Sequence, residues 1–476
     1  IIAIVIMLKN REKMSRWVIY LAVAVVGTAL CFRYPVFDRR MLSLGKADRV
    51  DRISVVLRGG NWLETLFSGN EILSRIERGE LLYYGDGIGG FTTVLKSIYQ
   101  LGDTHYVLAN SGKSDATNLS DMCTQTLLAH FPMLFRADAK NVMVLGLGSG
   151  VTCGEVLKYP VDRLDILEIN KQVVAASDFF LPWNDSVLTD PRTSIIVQDG
   201  RAHLELTDRT YDVIISEPSN PWMAGLATLF TENFFQLAKE RMTEGGMFVQ
   251  FIHTYKMDWE SFALVGRTFA KVFPNSILVS TSPAGFGPDC LLVGIKGDEK
   301  LRLEVAQARL PYAERSHNIV LSDASLIYRM ILAENMAELF GEGDINSDTW
   351  PLLEFAAPKL MYRYDQSIDR NVLAKGRRSA ETMAIIDQIR SDIDKQIEFA
   401  AYAISIHTPF PGMVNLAEAT PEQIERFFRL TDSYFATHSS DPNMFLDEAL
   451  RQRWREVQIE SISRRIGTME NKALSY

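Results

Sequence analysis

Residues 141–150 read Asn-Val-Met-Val-Leu-Gly-Leu-Gly-Ser-Gly, and this stretch decides the fold class. Its first five residues form a short apolar run that is typical of a β-strand. Gly146, Gly148 and Gly150 follow where the strand turns into a helix, and glycines at such a turn let the backbone approach a ligand closely. A dinucleotide fingerprint would need glycine at Val151, so the spacing favours a different nucleoside ligand.

Two acidic strand ends follow the glycine turn. Residues 164–168 are predicted to form a second strand, whose terminal Glu168 is placed to accept the protons of both ribose hydroxyls. Residues 194–199 are predicted to form a third strand that ends in Asp199-Gly200. There the acid is expected to accept the amino proton of adenine, and the glycine leaves room for the ring. Since ligands bind at the carboxyl ends of strands in open α/β sheets, these residues predict an S-adenosyl cofactor site.

Residues 212–230 read Asp-Val-Ile-Ile-Ser-Glu-Pro-Ser-Asn-Pro-Trp-Met-Ala-Gly-Leu-Ala-Thr-Leu-Phe. This segment resembles the catalytic segment of spermidine synthases, and it is most similar to that of their membrane-fused bacterial relatives. The resemblance covers roughly residues 80–357. It includes residues 82–84 and 111–117, Asp121-Met122 with Gln125, and residues 346–355.

The resemblance implies transfer of an aminopropyl group from decarboxylated S-adenosylmethionine to a diamine. An alkylammonium with a pKa near 10 is almost wholly protonated at neutral pH, so a carboxylate beside the reacting nitrogen must accept its proton. Glu217 occupies the position of the catalytic aspartate of the family and is the predicted catalytic residue. The alternative is that Glu217 only ends a strand before Pro218.

Three positions depart from the family pattern. Ser149 stands where spermidine synthases carry an aspartate for the amine of the cofactor, and Asn220 stands where a second aspartate binds the diamine. Thr124 replaces a tyrosine that lines the acceptor pocket. A charged hydrogen bond is worth ~1.5–3 kcal/mol, so the two missing carboxylates predict a changed donor or acceptor. Methyl transfer from intact S-adenosylmethionine is the alternative activity.

The predicted site therefore has two halves. The cofactor side consists of Gly146, Gly148, Ser149, Gly150, Glu168, Asp199 and Gly200. The side for a small-molecule amine acceptor consists of Asn220, Asp121, Gln125, Thr124 and Trp222. Solvated or capping roles for Asp121 and Gln125, and a core-filling role for Trp222, are the structural alternatives.

The sequence predicts an α/β protein with a Rossmann-like, seven-stranded sheet of the class I methyltransferase type. A membrane segment is expected in residues 1–40 and a small antiparallel β domain in residues 51–118. The S-adenosyl-binding catalytic domain is assigned to residues 119–357. Residues 358–476 are predicted to form a helical extension, because apolar positions recur there at helical spacing.

Composition argues against a nucleic-acid-binding protein and against a metal site or a disulfide framework. The chain has 476 residues and a formal net charge of −9, so it lacks the basic surface expected of a nucleic-acid-binding protein. Its 4 cysteines are scattered without the spacing of a metal site or a disulfide framework, and no metal is expected. Spermidine synthases commonly form dimers, so a homodimer is a further expectation from the resemblance.

Residues 1–8 and 17–32 are apolar and are joined by a basic link. We interpret them as membrane helices, with a signal peptide starting at Met14 as the alternative. The expected location is the bacterial inner membrane with the catalytic domain facing the cytoplasm, where S-adenosyl compounds occur. The fused relatives imply a longer membrane portion before Ile1. A non-catalytic ligand sensor that regulates a fused transporter domain is therefore a second alternative function.

Overall fold

The computed structural model describes residues 14–33, 39, 79–98, 104–119, 121–223, 225–282, 289–361, 368, 370–373, 375–405, 420, 422–423, 426 and 429–430. The chain divides into two compact units, Ile1–Glu77 and Arg78–Tyr476.

The described part of the first unit is dominated by helix α1, Met14–Arg33, which exposes apolar side chains such as Leu21 and Val23. Among the described residues, no helix combines the length and the apolar character required to cross a bilayer. The predicted membrane-spanning helix at residues 17–32 is therefore not supported. Residues 1–8 lie outside the described residues, and the predicted membrane location and homodimer stay predictions.

The second unit begins with a four-stranded antiparallel sheet, which confirms the predicted small β sheet. Its strands follow chain order: β1 Gly79–Gly87, β2 Gly90–Ile98, β3 Thr104–Asn110 and β4 Lys113–Thr117. Successive strands are joined by short connections, as expected of antiparallel hairpins. Residues 51–78, which were also assigned to this domain, lie outside the described residues.

The main sheet has eight strands in the described residues rather than the predicted seven. Its strands are β5 Asn141–Leu145, β6 Arg163–Leu167, β7 Thr193–Ile196, β8 Tyr211–Ser216, β9 Met242–His253, β10 Ser276–Ser280, β11 Asp289–Ile295 and β12 Ile331–Glu334. The spatial order is β12-β10-β11-β9-β8-β5-β6-β7. The additional strand, β12, pairs antiparallel with β10 at one edge. Four residues give too short a pattern to predict such edge pairing.

Strands β5 to β9 are parallel to one another, and β11 runs antiparallel to β9. The carboxyl ends of the parallel strands therefore share one edge of the sheet with the amino end of β11. This arrangement is the methyltransferase-like mixed sheet, and it collects every strand end predicted to carry a site residue.

The sheet is buried on both faces. Along β5, Val142 and Val144 belong to one apolar cluster, and Met143 and Leu145 belong to the other. Alternation across the strand explains this division, and burial of both faces explains the uninterrupted apolar sequence of β5. The two clusters are the cores between the sheet and the helices on its two faces.

The helices of the second unit are α2 Met122–Phe135, α3 Val151–Val156, α4 Lys171–Ala176, α5 Leu181–Asn184, α6 Gly200–Leu206, α7 Glu232–Glu240, α8 Trp259–Val272, α9 Leu303–Ala313, α10 Met336–Phe340, α11 Leu352–Leu360, α12 Arg370–Leu373, α13 Ala380–Ser391 and α14 Ile393–Ser405. The hydroxyl of Thr231 accepts a hydrogen bond from the Phe234 backbone N–H, so Thr231 caps α7. The last two helices lie in the region predicted to be helical, and most of the chain beyond Ser405 lies outside the described residues.

Candidate active site

The glycine turn joins β5 to α3 in a conformation that only glycine adopts readily. Gly146, Gly148 and Gly150 have φ angles of 93°, 53° and 84°. A Cβ on Gly146 would lie 2.7 Å from the backbone carbonyl oxygen of Glu217. The predicted cofactor turn and the predicted catalytic segment are therefore in direct contact.

Glu168 directly follows β6 and its carboxylate faces this turn. One oxygen, Oε2, accepts the Leu147 N–H at 3.1 Å, and Oε1 accepts the Asn170 N–H at 2.8 Å. Burial raises the pKa of Glu168, and the two backbone hydrogen bonds oppose that rise. Since each carboxylate oxygen has a second lone pair, Glu168 both braces the turn and retains acceptor capacity for hydroxyl groups.

Asp199 lies at the neighbouring strand end and is exposed, but one of its oxygens caps α6 by accepting the Ala202 N–H at 2.8 Å. A Cβ on Gly200 would lie 1.9 Å from Leu145 Cδ2. The lack of a side chain at Gly200 therefore allows packing against β5. The predicted space for a ring beside it is already filled by Leu145.

Two apolar side chains at these strand ends were missed by the sequence analysis. Ile169 follows Glu168 and Val197 follows β7, and they are 44% and 43% exposed. Exposed apolar groups on adjacent strand ends, next to two carboxylates, suit an amphipathic flat ring. The available signal was an apolar residue within two positions of each predicted ligand acid.

Glu217 follows β8 and is partly buried. Thr152, in the first turn of α3, donates its hydroxyl to Glu217 Oε2 at 2.9 Å. The Gln125 carbonyl oxygen, at 3.0 Å, is an alternative acceptor for the same hydroxyl. Burial, together with the nearby carboxylates of Asp121 and Asp289, raises the pKa of Glu217 to about 8. A carboxyl group with this pKa is suited to accept a proton near neutral pH.

Asp121 and Asp289 bring two more acids to the same region. Asp121 precedes α2 and accepts the Thr117 N–H at 2.9 Å through Oδ2. Asp289 begins β11, is 7% exposed, and accepts the Thr124 hydroxyl at 2.8 Å. Burial raises the pKa of Asp121 to about 7 and that of Asp289 to about 6. Asp289 was missed because its position depends on β11 running antiparallel to its neighbours.

Ser149 and Gln125 connect the two halves of the site. Ser149 is buried and donates its hydroxyl to Gln125 Oε1, while Gln125 Nε2 donates to the Thr117 carbonyl oxygen at 2.9 Å. Gln125 therefore lies between the glycine turn and Asp121.

Trp222 belongs to an aromatic cluster with His253 and Tyr255, and Asn220 contacts this cluster. Asn220 Nδ2 donates to the Tyr255 hydroxyl oxygen at 3.2 Å. The Trp222 ring lies 4.4 Å from the His253 ring and 5.8 Å from the Tyr255 ring, between ring centres. Trp222 is 7% exposed, so it packs mainly against other rings.

The N-terminal sheet reaches this region through polar side chains. Asn170 donates to Thr92 Oγ1 at 3.0 Å, and Thr92 donates to Asn110 Oδ1 at 2.6 Å. Asn110 in turn donates to Asp115 Oδ2 at 2.8 Å, and Ser219 donates to Asp115 Oδ1 at 2.7 Å. A continuous chain of hydrogen bonds thus links the Glu168 end of the site to the loop after Glu217.

Lys113 forms an ion pair with Asp115, with 2.5 Å between Nζ and Oδ1, and also donates to Ser219 at 3.2 Å. His203 contacts the hydroxyl of Tyr211, the first residue of β8, at 3.4 Å. Tyr211 is the first residue of β8, and Glu217 follows the other end of that strand. His203 therefore lies at the end of β8 opposite to the candidate site. In the described part of the chain, no group of at least three histidine, cysteine or acidic side chains is arranged to hold a metal ion.

The mixed sheet, the glycine turn and the acidic residues that follow the parallel strands define an α/β enzyme domain of the methyltransferase-like class. Residues 122–284 match the family model described as spermine/spermidine synthase domain. The polyamine aminopropyltransferase of Thermotoga maritima is 27% identical over 231 residues, which are 47% of this chain and 76% of that protein. Polyamine aminopropyltransferase 1 of Pseudomonas aeruginosa is 33% identical over 145 residues, 30% of this chain and 50% of that protein.

Among solved structures, the spermidine synthase from Thermotoga maritima is similar at 22% identity and a TM-score of 0.41, covering 60% of this chain and 87% of that one. Residues 122–284 therefore carry a spermine/spermidine synthase domain, and the similarity to polyamine aminopropyltransferases supports a transferase.

Proposed function

We propose that this protein is a spermidine-synthase-like transferase that alkylates an amine, moving an aminopropyl group from decarboxylated S-adenosylmethionine. The observation that carries the proposal is Glu217, a partly buried carboxyl group in contact with the glycine turn through its own backbone. Burial raises its pKa to about 8, which matches the task of accepting a proton from an amine.

The residues present fit an adenosine-bearing donor. Glu168 has acceptor capacity for the ribose hydroxyls, Ile169 and Val197 offer exposed apolar surface for adenine, and Asp199 has one oxygen outside its helix cap. When bound, such a donor supplies an electrophilic carbon attached to a positively charged sulfur.

The chain's own residues then perform two tasks. Glu217 accepts the proton that the amine nitrogen must lose, and Thr152 holds the carboxylate in place through its hydroxyl. The N-terminal sheet covers the loop after Glu217 through the Asp115–Ser219 contact and keeps it in register with Glu168. Holding both reactants in one geometry supplies much of the rate enhancement in such transfers.

Methyl transfer from intact S-adenosylmethionine is the second candidate, and Ser149 favours it. A carboxylate at this position would bind the amine of the decarboxylated donor. The chain has instead a buried hydroxyl, which donates its hydrogen bond to Gln125. Binding of a decarboxylated donor then depends on other acids of the site.

Product analysis separates these activities. Purified protein is incubated with each donor and a panel of amines, and the nucleoside product is identified by mass spectrometry. We expect methylthioadenosine from the decarboxylated donor together with an amine enlarged by one aminopropyl group. Formation of S-adenosylhomocysteine alone would establish methyl transfer. Tight donor binding without either product would favour the non-catalytic sensor.

Glu168→Gln is expected to weaken donor binding about 10- to 100-fold, because the ribose hydroxyls lose a charged acceptor worth ~1.5–3 kcal/mol. Titration calorimetry measures the dissociation constant. Glu260→Gln, an exposed acid in α8, is the matched control and should leave it unchanged. Equal affinity of wild type and Glu168→Gln would remove Glu168 from the donor site.

A further inference from the structure

We propose that Asp289, together with the unpaired acceptor atoms of His253 and Asn220, binds the non-reacting ammonium group of the acceptor amine. This inference rests on the proposed function, and it deepens that function by naming a residue that selects acceptors with a second positive charge.

The position of Asp289 follows from strand register. Asp289 is the first residue of β11, and its Cα partner on β9 is His253, the last residue of that strand. Directly paired residues of antiparallel strands project their side chains from the same face of the sheet. Asp289 and His253 therefore lie side by side, at the sheet edge where Glu217 follows β8.

Asp289 is a buried acid without an ion-pair partner in the described part of the chain. It is 7% exposed and receives one side-chain hydrogen bond, from the Thr124 hydroxyl. Lys113, the nearby cation, is paired with Asp115. Burial of a carboxylate costs free energy unless a positive charge or several hydrogen-bond donors accompany it. Asp289 therefore has room for a further positively charged partner.

His253 supplies an independent sign of a missing donor. Its Nδ1 lies 2.8 Å from the Tyr255 carbonyl oxygen, and a carbonyl only accepts, so Nδ1 carries the hydrogen. Nε2 is therefore an acceptor, and this fully buried atom has no hydrogen-bond partner among the described residues. Because burial lowers the pKa of His253 to about 3, the ring stays neutral.

Asn220 is the second such group. Its Nδ2 is used by the Tyr255 hydroxyl, while Oδ1 is buried and lacks a partner among the residues that the structure describes. The Tyr255 ring lies 4.7 Å from that of His253 between ring centres, so Asn220 and His253 both contact Tyr255. Two neutral acceptors and a carboxylate, all short of donors, match the three N–H bonds of a primary ammonium group.

Charge decides which nitrogen of the acceptor binds here. The reacting nitrogen must be neutral and lie near Glu217, whereas the other nitrogen of a diamine stays protonated. The site of Asp289 therefore compensates for the diamine-binding carboxylate that the sequence lacks at Asn220. The carboxylate comes from another strand, and Thr124, which replaces a bulky tyrosine, makes the hydrogen bond to it.

The test compares 1,4-diaminobutane with n-butylamine, which has the same chain but no second ammonium group. Asp289→Asn keeps the acceptor for Thr124 and removes only the charge. We expect KM for the diamine to rise about 10- to 100-fold with kcat within about threefold, because a charged hydrogen bond is lost. KM for the monoamine should not change, so the preference of the wild type for the diamine should disappear.

Two further variants separate charge from structure. Asp289→Glu keeps a carboxylate and should retain part of the preference, whereas Thr124→Val removes only the hydrogen bond and should retain most of it. Thermal unfolding of each variant verifies that it is folded. An equal change for both amines in Asp289→Asn, or no change for either, overturns the role of Asp289.

Direct binding distinguishes this inference from the proposed function. Calorimetric titration of the diamine into protein saturated with methylthioadenosine requires no turnover. Binding that depends on Asp289, without turnover, supports the ammonium site and contradicts the transferase proposal. Turnover with a diamine preference that is independent of Asp289 supports the transferase proposal and contradicts the ammonium site. Absence of both amine binding and turnover overturns both.

Discussion

Glu217→Gln is expected to lower kcat by about 10³-fold, within the 10²- to 10⁴-fold range typical for removal of a general base. Glutamine keeps the size of the side chain and the acceptor for the Thr152 hydroxyl, but it cannot take up a proton. Donor binding, measured by calorimetry, should stay within about threefold, as expected for a group that acts mainly in the transition state. A Glu217→Gln enzyme with the wild-type rate would exclude Glu217 as the base.

The pH dependence of the wild type tests the same assignment. Burial raises the pKa of Glu217 to about 8, so the ionised base becomes more abundant as pH increases from 6 to 8. The rate should rise over that interval and level off above it. Thr152→Val removes a hydrogen bond that lowers this pKa, so the midpoint should move to higher pH. A midpoint that is unchanged in Thr152→Val would assign the profile to another group.

Stability should change in the direction opposite to activity. The pKa of Glu217 is higher in the folded than in the unfolded protein, so the folded state loses stability as pH rises from about 4.5 through 8. Glu217→Gln abolishes this loss. The variant should therefore unfold at a higher temperature than the wild type at pH 9, and at a similar temperature at pH 5. Calorimetric scans at both pH values measure the difference.

Gly146→Ala is expected to lower the free energy of unfolding by about 2–4 kcal/mol, since an unfavourable backbone conformation alone costs ~1–3 kcal/mol. Its φ is 93°, and the new Cβ would lie 2.7 Å from the carbonyl oxygen of Glu217. Because that neighbour is backbone, Glu217 must shift to relieve the contact. We expect kcat to fall at least about tenfold, as displacements near 1 Å cost up to ~10² in rate.

Gly89→Ala is the matched control for this substitution. Gly89 has a φ of 79°, but a Cβ there would meet no atom within 4 Å. Gly89→Ala should lower the free energy of unfolding, measured in urea, by only ~1 kcal/mol and should leave activity unchanged. If Gly89→Ala loses as much stability as Gly146→Ala, backbone conformation rather than contact with Glu217 explains the effect.

Much of the main sheet was predictable because its information is local. An apolar run before a glycine turn marks β5, and strands and helices that alternate along the chain indicate a sheet with helices on both faces. The methyltransferase-like sheet and the preceding antiparallel sheet were predicted on this basis. The eighth strand was not, because the short β12 acquires its strand conformation by pairing with β10.

The candidate site was predictable only in part. Residues that follow parallel strands, such as Glu168 and Glu217, could be placed at one edge from their position in the sequence alone. Gly200 was placed correctly at that edge, yet the space beside it is occupied by Leu145, whose side-chain direction depends on core packing. Ile169 and Val197 were not predicted, because an apolar residue close to a candidate acid is also typical of an ordinary strand end.

The sequence by itself determined the order of strands and helices, the glycine turn and the acids that end the parallel strands, because each depends on neighbours within a few residues. Only the tertiary structure placed Asp289 beside Thr124, which is 165 residues away. It also left the acceptor atoms of His253 and Asn220 without donors among the described residues. The reason is physical: antiparallel register and burial decide which distant side chains share one face of a sheet, and burial then sets their charge.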